Sequence, residues 1–269
     1  MTSISELLAA VPPETVPPDP LAAPAQRYMI AFTPRSGSSY LCERLERTGA
    51  AGVPREILNK DLMPVVLEQI PASTPAQYLQ RVLAVRATGG VSGFKTSWFQ
   101  LAEFSGALPD GFDHWADYRC VYLVRGDLAA QAVSLYRAVG TNVFHTNIPV
   151  DDAARRRLED LPYRYDEIAH WYRHLLEQEQ AWEAWFRERS IEPLRVTYEA
   201  VHEDVGAVSH AILSFLGVRG SDEGLREASV FRKLGGSTSA QWADRFAADH
   251  AARTGDTVRR SPDDGVALL

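Results

Sequence analysis

Apolar and β-branched residues gather in short runs along this chain, and longer amphipathic stretches separate them. Residues 27–33, 91–96, 119–125 and 193–198 read as buried strands, with a weaker run near 52–54. Apolar spacings near 3.6 predict helices over 38–48, 74–87, 127–139, 165–188 and 204–216. Alternation of this kind predicts an α/β fold, a P-loop-like central parallel sheet flanked by helices on both faces. The longest helix carries the stripe Ile168, Trp171, Tyr172, Leu175, Trp182, Trp185 and Phe186, which reads as core or as a subunit contact.

The two ends break the pattern. Residues 1–25 contain Pro12, Pro13, Pro17, Pro18, Pro20 and Pro24, so a flexible, non-helical arm is expected before one folded domain over 26–249. The polar residues 250–269 read as a mobile tail. Weak periodicity over 142–161 suggests a loop near a site, with Arg155, Arg156 and Arg157 as a solvated cluster. With 45% hydrophobic and 23% charged residues, the 269-residue chain has a globular composition. Its formal charge of −7 argues against a nucleic-acid partner. No apolar run approaches the roughly 18 residues of a membrane span, and the N-terminus has no signal-peptide pattern. Cys42 and Cys120 form no disulfide framework, which fits a cytoplasmic setting.

Candidate chemistry begins where the first strand ends. Thr33-Pro34-Arg35-Ser36-Gly37-Ser38-Ser39 is a small-residue loop that opens a helix. Backbone N–H groups and the helix dipole there favour an anion, Gly37 permits close approach, and Arg35 adds a planar charge. The alternative is a serine-rich helix cap. Arg35, Lys95 and Arg125 each fall at a predicted strand end, where open parallel sheets bind ligands. Three like charges on one edge call for a ligand with more than one phosphate-like group. The loop lacks the Gly-Lys-Ser/Thr of nucleotide triphosphatases, and Asp127 reads as a helix cap rather than a magnesium ligand. His170 and His174, four apart, have a metal-ligand spacing, but no third ligand is evident, so no metal is expected.

Taken in order, these blocks resemble the PAPS-dependent sulfotransferases, whose donor is 3′-phosphoadenosine 5′-phosphosulfate. Residues 33–39 resemble the loop for the 5′-phosphosulfate. Phe94-Lys95-Thr96 resembles the strand end whose lysine faces the same group. Val121-Tyr122-Leu123-Val124-Arg125 with Gln131-Ala132-Val133-Ser134 resembles the unit holding the 3′-phosphate. Val196-Thr197-Tyr198-Glu199-Ala200, leading into residues 211–217, resembles the late strand and helix of the superfamily. Phe231-Arg232-Lys233-Leu234-Gly235-Gly236, followed by Trp242, faintly resembles a basic-glycine loop over the donor.

Within the superfamily the pattern is most like the bacterial trehalose 2-sulfotransferase type. Shared features are Arg-Ser-Gly-Ser at the loop, nine residues from Arg125 to Ser134, and Gly52-Val53-Pro54-Arg55-Glu56. That resemblance implies a catalytic base at Glu56, with Lys95 and Arg35 supporting the leaving group. It implies donor binding by Arg35, Ser36, Gly37, Ser38, Ser39, Arg125, Ser134, Tyr198, Arg232 and Lys233. Val53 stands where the trehalose enzyme has a carboxylate, so the acceptor is expected to be a hydroxyl of a small trehalose-like carbohydrate or of a glycosylated metabolite. The type forms dimers, which implies a homodimer here. His114, His145, His170 and His174 compete with Glu56 as the base, and a kinase-like phosphotransferase using the same cradle is the alternative function.

Overall fold

The computed structural model of the protein describes residues 2–18, 21–144, 151–231 and 236–260. The chain opens on α1 (Ile4–Ala9), a short helix where the prolines led to none. Its residues precede Pro12, Ser3 and Glu6 form a reciprocal capping box, and Ile4 and Leu8 are buried. There follow β1 (Gln26–Phe32), α2 (Ser38–Arg47), α3 (Met63–Gln69), α4 (Pro75–Val85), β2 (Val91–Ser97) and α5 (Trp98–Ser105). The second half contains β3 (Arg119–Val124), α6 (Leu128–Thr141), α7 (Asp152–Asp160), α8 (Tyr165–Glu188) and β4 (Leu194–Thr197). It ends with α9 (Tyr198–Glu203), α10 (Val205–Leu216), α11 (Glu223–Arg226) and α12 (Ser237–Thr254).

All pairings in the sheet are parallel, in the order β2-β1-β3-β4, and helices cover both faces. Alternation along β1 sorts the core. Tyr28, Ile30 and Phe32 pack with α2 and α10 through Leu41, Leu45, Ile212 and Leu216. Met29 and Ala31 face the opposite layer, where Phe94, Trp115, Trp182 and Phe186 gather. A third cluster joins α6, α8 and α12 through Leu135, Ile168, Leu175 and Phe246. The aromatic stripe of α8 is spent on this core: all its members except Trp171 are buried. Gly93 is forced by packing, because a Cβ there would lie 2.2 Å from the ring of Tyr28, its partner on β1.

The strand expected near 52–54 does not form. Gly52 has φ +68°, Pro54 has no N–H to donate, and pairing shrinks to one parallel bridge between Arg55 and Phe94. The tail expected after 249 is also partly ordered, since α12 runs to Thr254 and Val258 is buried. The region 142–161, expected as a loop, contains α7. Among the described residues no helix is long and apolar enough to cross a membrane.

Candidate active site

Beyond the carboxyl ends of β1, β2 and β3 lies a cavity of about 1060 Å³. Its floor is the loop between β1 and α2. Arg35 (φ +70°) and Gly37 (φ +82°) both adopt left-handed backbone, which folds successive N–H groups into one concavity. A Cβ on Gly37 would stand 2.9 Å from the Tyr198 ring, so packing and backbone both select glycine. No side chain among the described residues caps the start of α2, leaving its first N–H groups for a ligand. The fully buried Gln131 holds the loop from α6, donating to Thr33 Oγ1 (2.8 Å) and to the Pro34 carbonyl (2.7 Å).

The three cations do converge on this cavity. Arg35 Nε donates to Ser134 Oγ at 3.1 Å, and its Nη1 to the Phe144 carbonyl. Arg125 lies 4.4 Å over the Tyr198 ring and donates to the Arg35 carbonyl at 3.3 Å. Burial and then the Arg125 charge push the Arg35 guanidinium below its ordinary pKa, a strain that an anion between them would relieve. Arg125 Nε and Ser36 Oγ are buried with no partner among the described residues. A nucleotide with separate phosphate groups fits these vacant donors, the N–H groups and the paired arginines.

Glu56 faces the cradle from the next segment. The Lys95 N–H donates to the Arg55 carbonyl at 3.0 Å, so the single bridge that replaced a strand sets Glu56 beside Lys95. Lys95 Nζ stands 3.0 Å from Glu56 Oε2 and donates to Ser39 Oγ (2.9 Å) and Ser38 Oγ (3.3 Å). Lys95 thus joins the carboxylate to the cradle. Glu56 Oε1 accepts from Gln100 (2.7 Å) and Asn59 (3.1 Å). Burial pushes the carboxyl pKa up, but the Lys95 charge and the bonds from Gln100, Lys95 and Asn59 outweigh it and hold the pKa below the ordinary value.

Of the expected site residues, Arg35, Gly37, Ser38, Ser39, Glu56, Lys95, Arg125, Ser134 and Tyr198 line this one cavity, and Ser36 lies buried in its floor. Arg232 and Lys233 lie outside the described residues, as does His145. Among the competing bases, His174 lines the cavity, stacked on Phe99 at 5.0 Å, and burial lowers its pKa. His114 bonds to Asp110 at 3.0 Å and, like His170, is no part of the cavity lining. Among the described residues no three His, Cys, Asp or Glu side chains gather as a metal site. Asp127 caps α6 through the Ala130 N–H (2.9 Å).

Sequence reasoning missed Gln100, Asn59 and the bond of Glu199 to the Gly126 N–H (3.1 Å). The spacing Ser97-x-x-Gln100 is a visible capping-box signal, and the Ser97 N–H does donate to Gln100 Oε1 at 3.1 Å. Asn59 bonds within its own turn, three residues from Glu56, whereas the Glu199 partner is set by tertiary contact. Cys42 and Cys120 are buried, and burial raises both thiols to about 12, which makes them packing groups.

Comparison with known proteins identifies the family. The Stf0 sulphotransferase family matches residues 27–249. A trehalose 2-sulfotransferase of Mycobacterium tuberculosis is 29% identical over 260 residues, covering 82% of this chain and 94% of the relative. Its counterpart in Mycolicibacterium smegmatis is 30% identical over 263 residues, with the same coverage. A solved sulfotransferase domain of the Synechococcus PCC 7002 olefin synthase superposes loosely, with TM-score 0.37 and 14% identity over 85% of this chain and 91% of that one. The kinase-like alternative finds no support in these likenesses. The chain therefore belongs to the Stf0 sulphotransferase family and is a PAPS-dependent sulfotransferase.

Proposed function

We propose that the protein moves the sulfuryl group of PAPS to a hydroxyl of a small carbohydrate, trehalose-like or part of a glycosylated metabolite. The observation that carries this reading is the bridge formed by Lys95. One ammonium touches both the serines of the phosphate cradle and the carboxylate of Glu56, so an anionic donor and a base share a single junction. The two relatives named for trehalose support the carbohydrate acceptor.

In this reading Glu56 accepts the proton of the attacking hydroxyl as its oxygen bonds to sulfur. The sulfur–oxygen bond to the 5′-phosphate breaks, and its electron pair stays on the phosphate oxygen. Arg35, Lys95 and the N–H groups of residues 36–39 take up the charge that appears there. Timing favours Lys95: once Glu56 is protonated, its hold on the ammonium weakens as the leaving oxygen becomes negative. Arg125 and Ser134 hold the 3′-phosphate, with Tyr198 stacked beneath Arg125. No metal takes part. The enzyme acts in the cytoplasm, the expectation set by its two cysteines, and as a homodimer, the expectation carried by the resemblance.

The test is PAPS turnover against a panel of disaccharides and glycosylated metabolites, with and without EDTA. A sulfated product, formed equally with the chelator, is expected. Absence of transfer to every hydroxyl acceptor would sink the carbohydrate reading. Loss of turnover in EDTA that added magnesium restores would overturn the metal-free mechanism.

A further inference from the structure

The C-terminal segment after α12 does something composition did not announce. It lies past residue 249, where the family match ends, and three consecutive residues grip the turn from β3 into α6. Val258 is buried in the cluster of α6, α8 and α12. The Arg259 carbonyl accepts from the Leu128 N–H at 3.1 Å. The Arg259 guanidinium forms a two-pronged pair with Glu179 of α8, both contacts at 2.8 Å. The same guanidinium donates to the carbonyls of Arg125 (2.9 Å) and Gly126 (3.1 Å). Arg260 reaches Asp127 at 3.1 Å and Asp244 at 3.0 Å.

We infer that Arg259 is a positioning residue for the donor: clamped by Glu179, it fixes the backbone of Arg125 and so aims that guanidinium at the 3′-phosphate. The side chains of Arg259 and Glu179 are only 15% and 10% exposed, so water offers the clamp little competition. Arg125 itself has a buried Nε with no partner among the described residues, as expected of a group held ready for a ligand. Without the clamp, the Arg125 carbonyl loses the guanidinium and the Gly126 carbonyl keeps only the Leu128 N–H, so the turn gains freedom that binding must remove. The inference rests on the reading of Arg125 as the 3′-phosphate site.

Calorimetry on the full chain tests it, with PAP and with AMP, which lacks the 3′-phosphate. Wild type is expected to bind PAP more tightly than AMP. Arg259→Ala should weaken PAP binding about tenfold, one charge-assisted contact's worth, and AMP binding less than twofold. In turnover the same variant should raise KM for the donor far more than it lowers kcat. Equal losses for both nucleotides, or no loss for either, would overturn the inference. A wild type that binds PAP and AMP alike would instead overturn the Arg125 site, and the inference with it. Should Arg259→Ala fail to fold, Glu179→Gln keeps the volume of the clamp, weakens its charge, and is read by the same comparison.

Discussion

At the scale of single residues, the site is a set of charges kept from relaxing. Glu56 has Lys95 on one oxygen and two amides on the other, an arrangement that keeps it ionised and oriented but lowers its basicity. Replacing it by glutamine keeps shape and hydrogen bonding while removing the proton acceptor. Single-turnover transfer in Glu56→Gln should then fall by roughly two to four powers of ten. Donor affinity, measured by calorimetry, should stay near wild type. Near-normal transfer in this variant, with collapse in His174→Ala, would hand the role to the histidine. Gln100 tunes the same group. Its bond favours the carboxylate, so Gln100→Leu removes a force that lowers the Glu56 pKa, and that pKa rises. The base works ionised, and activity is lost as pH falls through its pKa. The acidic limb of the kcat/KM profile should therefore move to higher pH in Gln100→Leu, and a limb that stays put would detach Gln100 from the base.

At the scale of elements, legibility followed local physics. β1, β2, β3 and β4 announce themselves by apolar runs, and the loop between β1 and α2 by its small residues, because both signals lie within a few consecutive positions. The segment carrying Glu56 was harder: Gly52 and Pro54 break the ladder, and only the tertiary bridge from Arg55 to Phe94 puts the carboxylate at the sheet edge. Helix α12 hid for a different reason, since its buried residues are only Ala243 and Phe246, too few to draw a stripe. The start of α2 is sensitive to a one-atom change at the residue before it. Gly37→Ala puts a methyl at φ +82° against the Tyr198 ring. Left-handed backbone alone costs a non-glycine residue about 1–2 kcal/mol. Thermal unfolding should report that loss, and PAP binding should weaken further because the cradle must shift to clear the ring. Full affinity in Gly37→Ala would show the cradle to be more pliant than its packing implies.

At the scale of the whole molecule, two segments expected to be mobile, residues 4–8 and 258–260, pack onto the body. Helix α1 seats Ile4 and Leu8 in the core, and residues 258–260 bind the turn that presents Arg125. Composition does not show this, because the contacts that order these segments, with α4 and with the turn after β3, are distant in the chain. Distribution of the tryptophans has an optical consequence. Trp115, Trp182 and Trp185 are buried in one cluster, with the half-buried Trp98 packed against them. Trp171, half-buried like Trp98 and Trp242, differs in lining the cavity, where it meets the His174 ring edge-on at 5.4 Å. Its indole therefore forms a built-in fluorophore in the wall of the cavity, against a background from the other indoles. Emission that changes on adding acceptor, and no longer does so in Trp171→Phe, would let acceptor binding be followed in real time without labelling the protein.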